Sequence, residues 1–103
     1  MYSRVTLLEL DVMRIDVDEA LERYRSEVLP DLQRRPGYEG CFVLVSPEGQ
    51  GLVMSLWSGE AEMEATAGIA TEALDRFATI FRAPPGRERY EVRLADVPAL
   101  TVG

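Results

Sequence analysis

Apolar and polar positions partly alternate along Arg4–Val12, RVTLLELDV, and that period of two predicts a first β-strand. Asp16 then opens D-V-D-E, with Glu19 three residues on, the spacing of a helix capping box. Val17, Leu21, Tyr24, Val28 and Leu32 follow at steps of three and four, one apolar stripe of an amphipathic helix. The stripe runs past Pro30, so the segment reads as a kinked helix or as two abutting ones. Arg34-Arg35 suit a helix C-terminus, and Pro36-Gly37 ends it. Tyr38–Ser46 reads as a second strand, Pro47–Gly51 as a turn, and Leu52–Trp57 as the returning strand of a hairpin. Ser58 or Gly59 then caps a second helix that carries Glu60, Glu62 and Glu64 in its first turns. Met63, Ala67, Ala70, Leu74, Phe77 and Phe81 form its apolar face. Pro84-Pro85-Gly86 breaks the chain before a last strand, Glu88–Asp96, with Tyr90, Val92 and Leu94 on one side.

This order, strand-helix-strand-strand-helix-strand, is an α+β arrangement. Right-handed crossovers place both helices on one face of the sheet. The other face should then be polar in a monomer. In the hairpin it is not: Cys41, Val43 and Val45 alternate with Phe42 and Leu44, and Leu52, Met54 and Leu56 with Val53 and Trp57. An uncovered face of roughly 600–800 Å² of apolar surface invites association. Its burial is worth on the order of 15–20 kcal/mol gross. A homodimer packed through sheet faces is therefore expected. The tail Val97–Gly103 is too short to cover four strands instead.

Composition narrows the chemistry. With 103 residues the chain is one domain, 1–103, and 47% hydrophobic content argues against disorder. A net charge of −7 with no basic stripe argues against nucleic acid as a partner. Cys41, alone, rules out an internal disulfide; in an apolar strand it is a buried thiol by default and a nucleophile otherwise. No secretory pattern and no membrane-spanning apolar run is visible, so no membrane association is expected and the cytoplasm is the expected location. The chain contains no His, no Lys and no Asn. That excludes His-based dyads, His metal ligands and Schiff-base chemistry, and no cofactor or metal is expected.

Two segments carry a family resemblance. R-R-P-G-Y-E-G-C, residues 34–41, ends a helix and opens a strand; L-W-S-G-E-A-E-M-E-A, residues 56–65, ends a strand and opens a helix. Flanking a glycine-containing hairpin, they resemble the antibiotic biosynthesis monooxygenase-like family of dimeric α/β barrels, over about residues 3–96. The resemblance implies a ferredoxin-like βαββαβ subunit with an antiparallel sheet, two of which join into a barrel. It also implies a small-ligand cavity between each sheet and its helices. Family activities include cofactor-independent oxygenation of phenolic polyketides and haem degradation. The oxygenases are expected to use an Asn with a Trp, plus Tyr and Arg; the haem degraders use Asn, Trp and a haem-ligating His. Here Trp57 matches by position, but Asn and His are absent. That removes the haem-degrading reading and leaves the oxygenase reading without its usual polar anchor. What remains is a small-molecule-binding dimeric barrel, with cofactor-free monooxygenation of an aromatic or phenolic substrate as one reading. The alternative is a non-catalytic ligand-binding, regulatory or stress-related module.

No catalytic residue is assigned. Candidate ligand-binding residues are Trp57, Tyr24, Tyr90, Met63, Ala67 and Glu9. Trp57 is a flat wall for an aromatic ligand or a core residue. Tyr24 and Tyr90 offer a hydroxyl to a cavity or simply pack. Met63 gives adaptable packing. Ala67 and Ala70 leave space, or allow close helix–sheet contact. Glu9 sits at an exposed edge or in a polar pocket that would raise its pKa. Arg4 or Arg93 orients a ligand anion or pairs at the surface. The expected site is a mostly apolar cavity between the sheet and the second helix, near Trp57, for an aromatic or otherwise flat ligand that is neutral or weakly acidic.

Overall fold

A computed structural model describes residues 1–100. Four strands, β1 (Tyr2–Glu9), β2 (Tyr38–Val45), β3 (Gln50–Trp57) and β4 (Gly86–Glu91), form one antiparallel sheet in the order β2-β3-β1-β4. Between β1 and β2 lie helices α1 (Val17–Glu27) and α2 (Leu29–Gln33); between β3 and β4 lie α3 (Glu60–Ala65), α4 (Ala67–Arg76) and a 3-10 turn, Ala78–Ile80. This is a ferredoxin-like βαββαβ fold.

Local chemistry explains most boundaries. The Asp16 carboxylate accepts the Glu19 backbone N–H at 2.7 Å and so caps α1. The apolar stripe breaks at Val28, ahead of Pro30, into two abutting helices, because proline cannot donate the interior helical bond. At the end of α2 the chain turns at Gly37 with φ +84°, a left-handed conformation that a side chain resists. A Cβ there would also lie 2.6 Å from Glu62 Cγ and 2.7 Å from Ser58 Oγ. The turn is thus packed against the start of α3, and its carbonyl accepts the Ser58 N–H at 2.8 Å. Gly37→Ala should therefore cost about 2–3 kcal/mol, read as a lower urea midpoint at unchanged slope. An unchanged midpoint would mean the turn tolerates a side chain that this packing forbids.

The largest differences from the sequence reading lie in three places. The first strand ends at Glu9, and Leu10 bridges instead to Phe81, which is therefore extended and not helical. The last strand is Gly86–Glu91 and not Glu88–Asp96: its pairing with β1 runs from Gly86 opposite Leu7 to Glu91 opposite Tyr2, with one further bond from the Val92 N–H to the Met1 carbonyl. The second helix is interrupted at Thr66. There the Thr66 hydroxyl donates to the Met63 carbonyl at 2.8 Å, and the Arg4 guanidinium donates to the same carbonyl and to Thr66 Oγ1 at 3.1 Å.

The sheet has two unlike faces. On the helix side Trp57, Val28, Leu32, Met63, Ala73 and Phe77 form the core. On the other side cross-strand neighbours form apolar rows, Leu44–Leu52–Leu7 and Phe42–Met54–Val5. Leu7 and Leu44 are 49% and 54% exposed there. The tail does not bury its own apolar groups: Leu94, Val97 and Leu100 are all exposed. Thr101–Gly103, the rest of the tail weighed above as a cover, lie outside the described residues.

Candidate functional site

Between the helices and the sheet lie two adjoining cavities, of about 80 and 90 Å³. They share the walls Leu8, Tyr24, Val53, Phe77 and Phe81. The first is closed by Ala20 and Leu21 of α1 over Val43 and Val45 of β2. The second lies under α4, whose Ala70, Ala73 and Leu74 face Arg4 and Thr6 of β1 and Ser55 of β3. Arg4 and Ser55 are direct cross-strand partners, and Thr6 is next in phase along β1.

The shared walls are held in place. The Phe77 ring lies under the guanidinium of Arg23, 4.6 Å from the ring centre, and near that of Arg76 at 5.4 Å. The Tyr24 hydroxyl and Cys41 Sγ are hydrogen-bonded at 3.3 Å. Burial pushes the Tyr24 pKa well above its ordinary value, and the neighbouring thiol adds to the effect. Burial likewise raises that of Cys41, partly offset by the bond to Tyr24. Both groups are therefore protonated at neutral pH, and neither serves as a base or a thiolate nucleophile. No Asp or Glu lines either cavity. The charged group in the second is Arg4, 7% exposed, whose pKa is lowered by burial and by the nearby charges of Arg87 and Arg89, against the opposing effect of Glu64.

The candidates from sequence fall in different places. Tyr24 lines both cavities. Trp57, fully buried, belongs to the core: it meets Tyr38 edge-on at 5.6 Å and donates from Nε1 to Ser55 Oγ at 2.9 Å. It lines neither cavity and touches the second one only through Ser55. Met63 is buried in the same cluster and offers its backbone carbonyl to Arg4. Ala67 lines neither cavity, whereas Ala70 and Ala73 do. Glu9 is exposed at the end of β1, opposite Gln50. Tyr90 is 55% exposed and opposite Ser3, out of phase with the cavity-lining positions of β1. Arg93 is exposed and pairs with Glu91 at 3.4 Å. Thr6, Ser55, Phe77 and Phe81 were not singled out as site residues from sequence. The signal for the first was available, since it shares the strand phase of Arg4.

Among the described residues, no helix is long and apolar enough to cross a membrane, and no group of three or more His, Cys, Asp or Glu side chains is placed to hold a metal.

No protein-family model matches the chain, and no curated protein matches it significantly. Solved structures do. A protein of unknown function from Nitrosomonas europaea is 24% identical, over 95% of this chain and 94% of that one, with a TM-score of 0.73. A monooxygenase from Streptomyces coelicolor, the product of ActVA-Orf6 solved with nanaomycin D, is 16% identical over 95% and 92% of the two chains, with a TM-score of 0.70. The haem degrader MhuD from Mycobacterium tuberculosis is 17% identical over 93% and 99%, with a TM-score of 0.67. The chain thus has the fold of the antibiotic biosynthesis monooxygenase-like proteins.

Proposed function

We propose that this protein binds a small, compact, flat or branched organic molecule between its sheet and helices, as a cytoplasmic homodimer joined through the outer sheet face. The observation that carries the reading is the cavity under α4. Its walls are apolar except for Arg4, Thr6, Ser55 and the Tyr24 hydroxyl, the few placed polar groups that fix orientation in a small-molecule site. The alanines of α4 keep it open. Calorimetric titration with single-ring compounds such as phenol and benzoquinone should give saturable binding. Ala70→Phe should fill the space and weaken that binding at least tenfold while leaving the protein folded. Equal binding by the parent and Ala70→Phe, or none by the parent, would refute this assignment.

A second reading, cofactor-independent oxygenation, is favoured by Arg4. Such chemistry starts from an ionised substrate that passes an electron to O₂, and a buried guanidinium stabilises a phenolate. The cavity, however, is lined by no carboxylate, and Tyr24, its pKa raised by burial, is protonated. The protein would act only on a phenol acidic enough to ionise beside Arg4. Oxygen uptake with a bound phenol decides between the readings: a rate equal to that without protein leaves binding as the function.

A further inference from the structure

Arg4 is an unusual residue to find in this cavity. It is a cation, 7% exposed, in the middle of an antiparallel sheet. Burying a charge is costly unless a counter-charge or strong hydrogen bonds offset it. Among the described residues no carboxylate lies within ion-pair distance of Arg4, although Arg14, Arg23, Arg34, Arg76, Arg89 and Arg93 all have one. Its hydrogen bonds go to neutral acceptors, the Met63 carbonyl and the Thr66 hydroxyl. A guanidinium carries five donors, and these two bonds leave donors over.

The neighbours sharpen the imbalance. Arg89 is the cross-strand partner of Arg4, and Arg87 that of Thr6. Arg89 is held by Glu64, and Arg87 donates to Thr71 Oγ1 at 3.0 Å. Three arginines therefore meet at one side of the sheet in a chain whose net charge is −7. Two of them are tied to the helices at the surface, and the buried one lines the cavity. Beside it, Ser55 Oγ already accepts the Trp57 Nε1–H, so its own hydroxyl proton is left to donate.

We propose that this cavity selects a small organic monoanion, with its anionic oxygen against Arg4 and its apolar body against Ala70, Leu74 and Phe81. The inference rests on the small-molecule-binding reading above and names the charge and size of the ligand. Glu64 acts on Arg4 only from beyond ion-pair distance, and the ligand oxygen supplies the counter-charge in contact, in charge-assisted hydrogen bonds. At about 90 Å³ the cavity alone is smaller than an apolar cavity that admits benzene, roughly 150 Å³, so a ring fits only by using the adjoining cavity of about 80 Å³ as well. The body is at most one ring or a short branched chain. A fused tricycle would require the shared wall of Tyr24 and Phe81 to open.

4-Nitrophenol tests this directly, because its neutral and ionised forms absorb at different wavelengths. Titrated in the presence of excess protein, its apparent pKa should fall by at least about one unit, which is a tenfold preference for the phenolate. Benzoate should likewise bind at least tenfold more tightly than benzamide by calorimetry. Arg4→Lys should keep the preference, and Arg4→Met should lose it while still binding the neutral ring. If Arg4→Met does not fold, the nitrophenol shift in the parent protein decides alone. A pKa that rises or stays put while the phenol binds overturns selection of an anion and leaves the binding reading standing. If neither the neutral nor the ionised ring binds, both fail.

Discussion

Leu44→Asp should turn a dimer into a monomer, with light scattering at micromolar protein giving twice the chain mass for the parent and the single-chain mass for the variant. Leu44 lies in the row Leu44–Leu52–Leu7, on the sheet face away from the helices, and is 54% exposed in the single chain. A carboxylate placed there would be buried without a partner on association, a penalty of several kcal/mol and hence at least ~100-fold in affinity. Val43→Asp is the control. Both residues border the first cavity, but strand phase puts Val43 with Val53 and Thr6 on the helix face, so its replacement should lower folding stability more than it changes dimer affinity. A parent protein that scatters as a monomer would refute the proposed assembly.

Trp57→Ala should lower stability by about 3–5 kcal/mol, the cost of removing a fully buried large aromatic. The change empties the centre of the Val28, Leu32, Met63 and Phe77 cluster. It also removes the edge contact with Tyr38 and leaves Ser55 without its Nε1–H donor. Domains of this size hold ~5–15 kcal/mol in all, so the variant should unfold in markedly less urea. Trp57→Phe should recover most of the packing. A loss under about 1 kcal/mol for Trp57→Ala would mean that the indole lines accessible space after all.

These two residues also show what was legible in the sequence. The assignment of Phe42 and Leu44 to one face and Val43 to the other followed from the period of two, and the pairing of β1, β2 and β3 keeps that phase. The Asp16 cap, the break near Pro30 and the hairpin turn were legible for the same reason, because each is settled within a few residues. Trp57 was placed near the ligand because a family pattern pointed there. Its actual surroundings depend on how α2 and α3 meet over the end of β3, which no local pattern encodes. The break at Thr66 is the clearest case. Met63, Ala67, Ala70 and Leu74 keep helical spacing straight through it, yet a guanidinium from position 4 takes the Met63 carbonyl. Only the register of β1 brings that residue under the helix. The shift of the last strand has a similar origin, since its bounds follow its register against β1.

The place of β1 between β3 and β4 also sets an order of events during synthesis. Of the four strands β1 is made first, and it must wait for both of its neighbours, one completed only at Trp57 and the other at Glu91. The β2–β3 hairpin, closed by a short turn, is the first pairing the growing chain can make. Until then α1 has no sheet to rest on, and Arg4 stays in water. β1 gains its β4 neighbour last, so the cation is enclosed beneath the helices only once Gly86–Glu91 has been made, and a nascent protein arrested before Gly86 should carry a hairpin and nascent helices but no finished cavity.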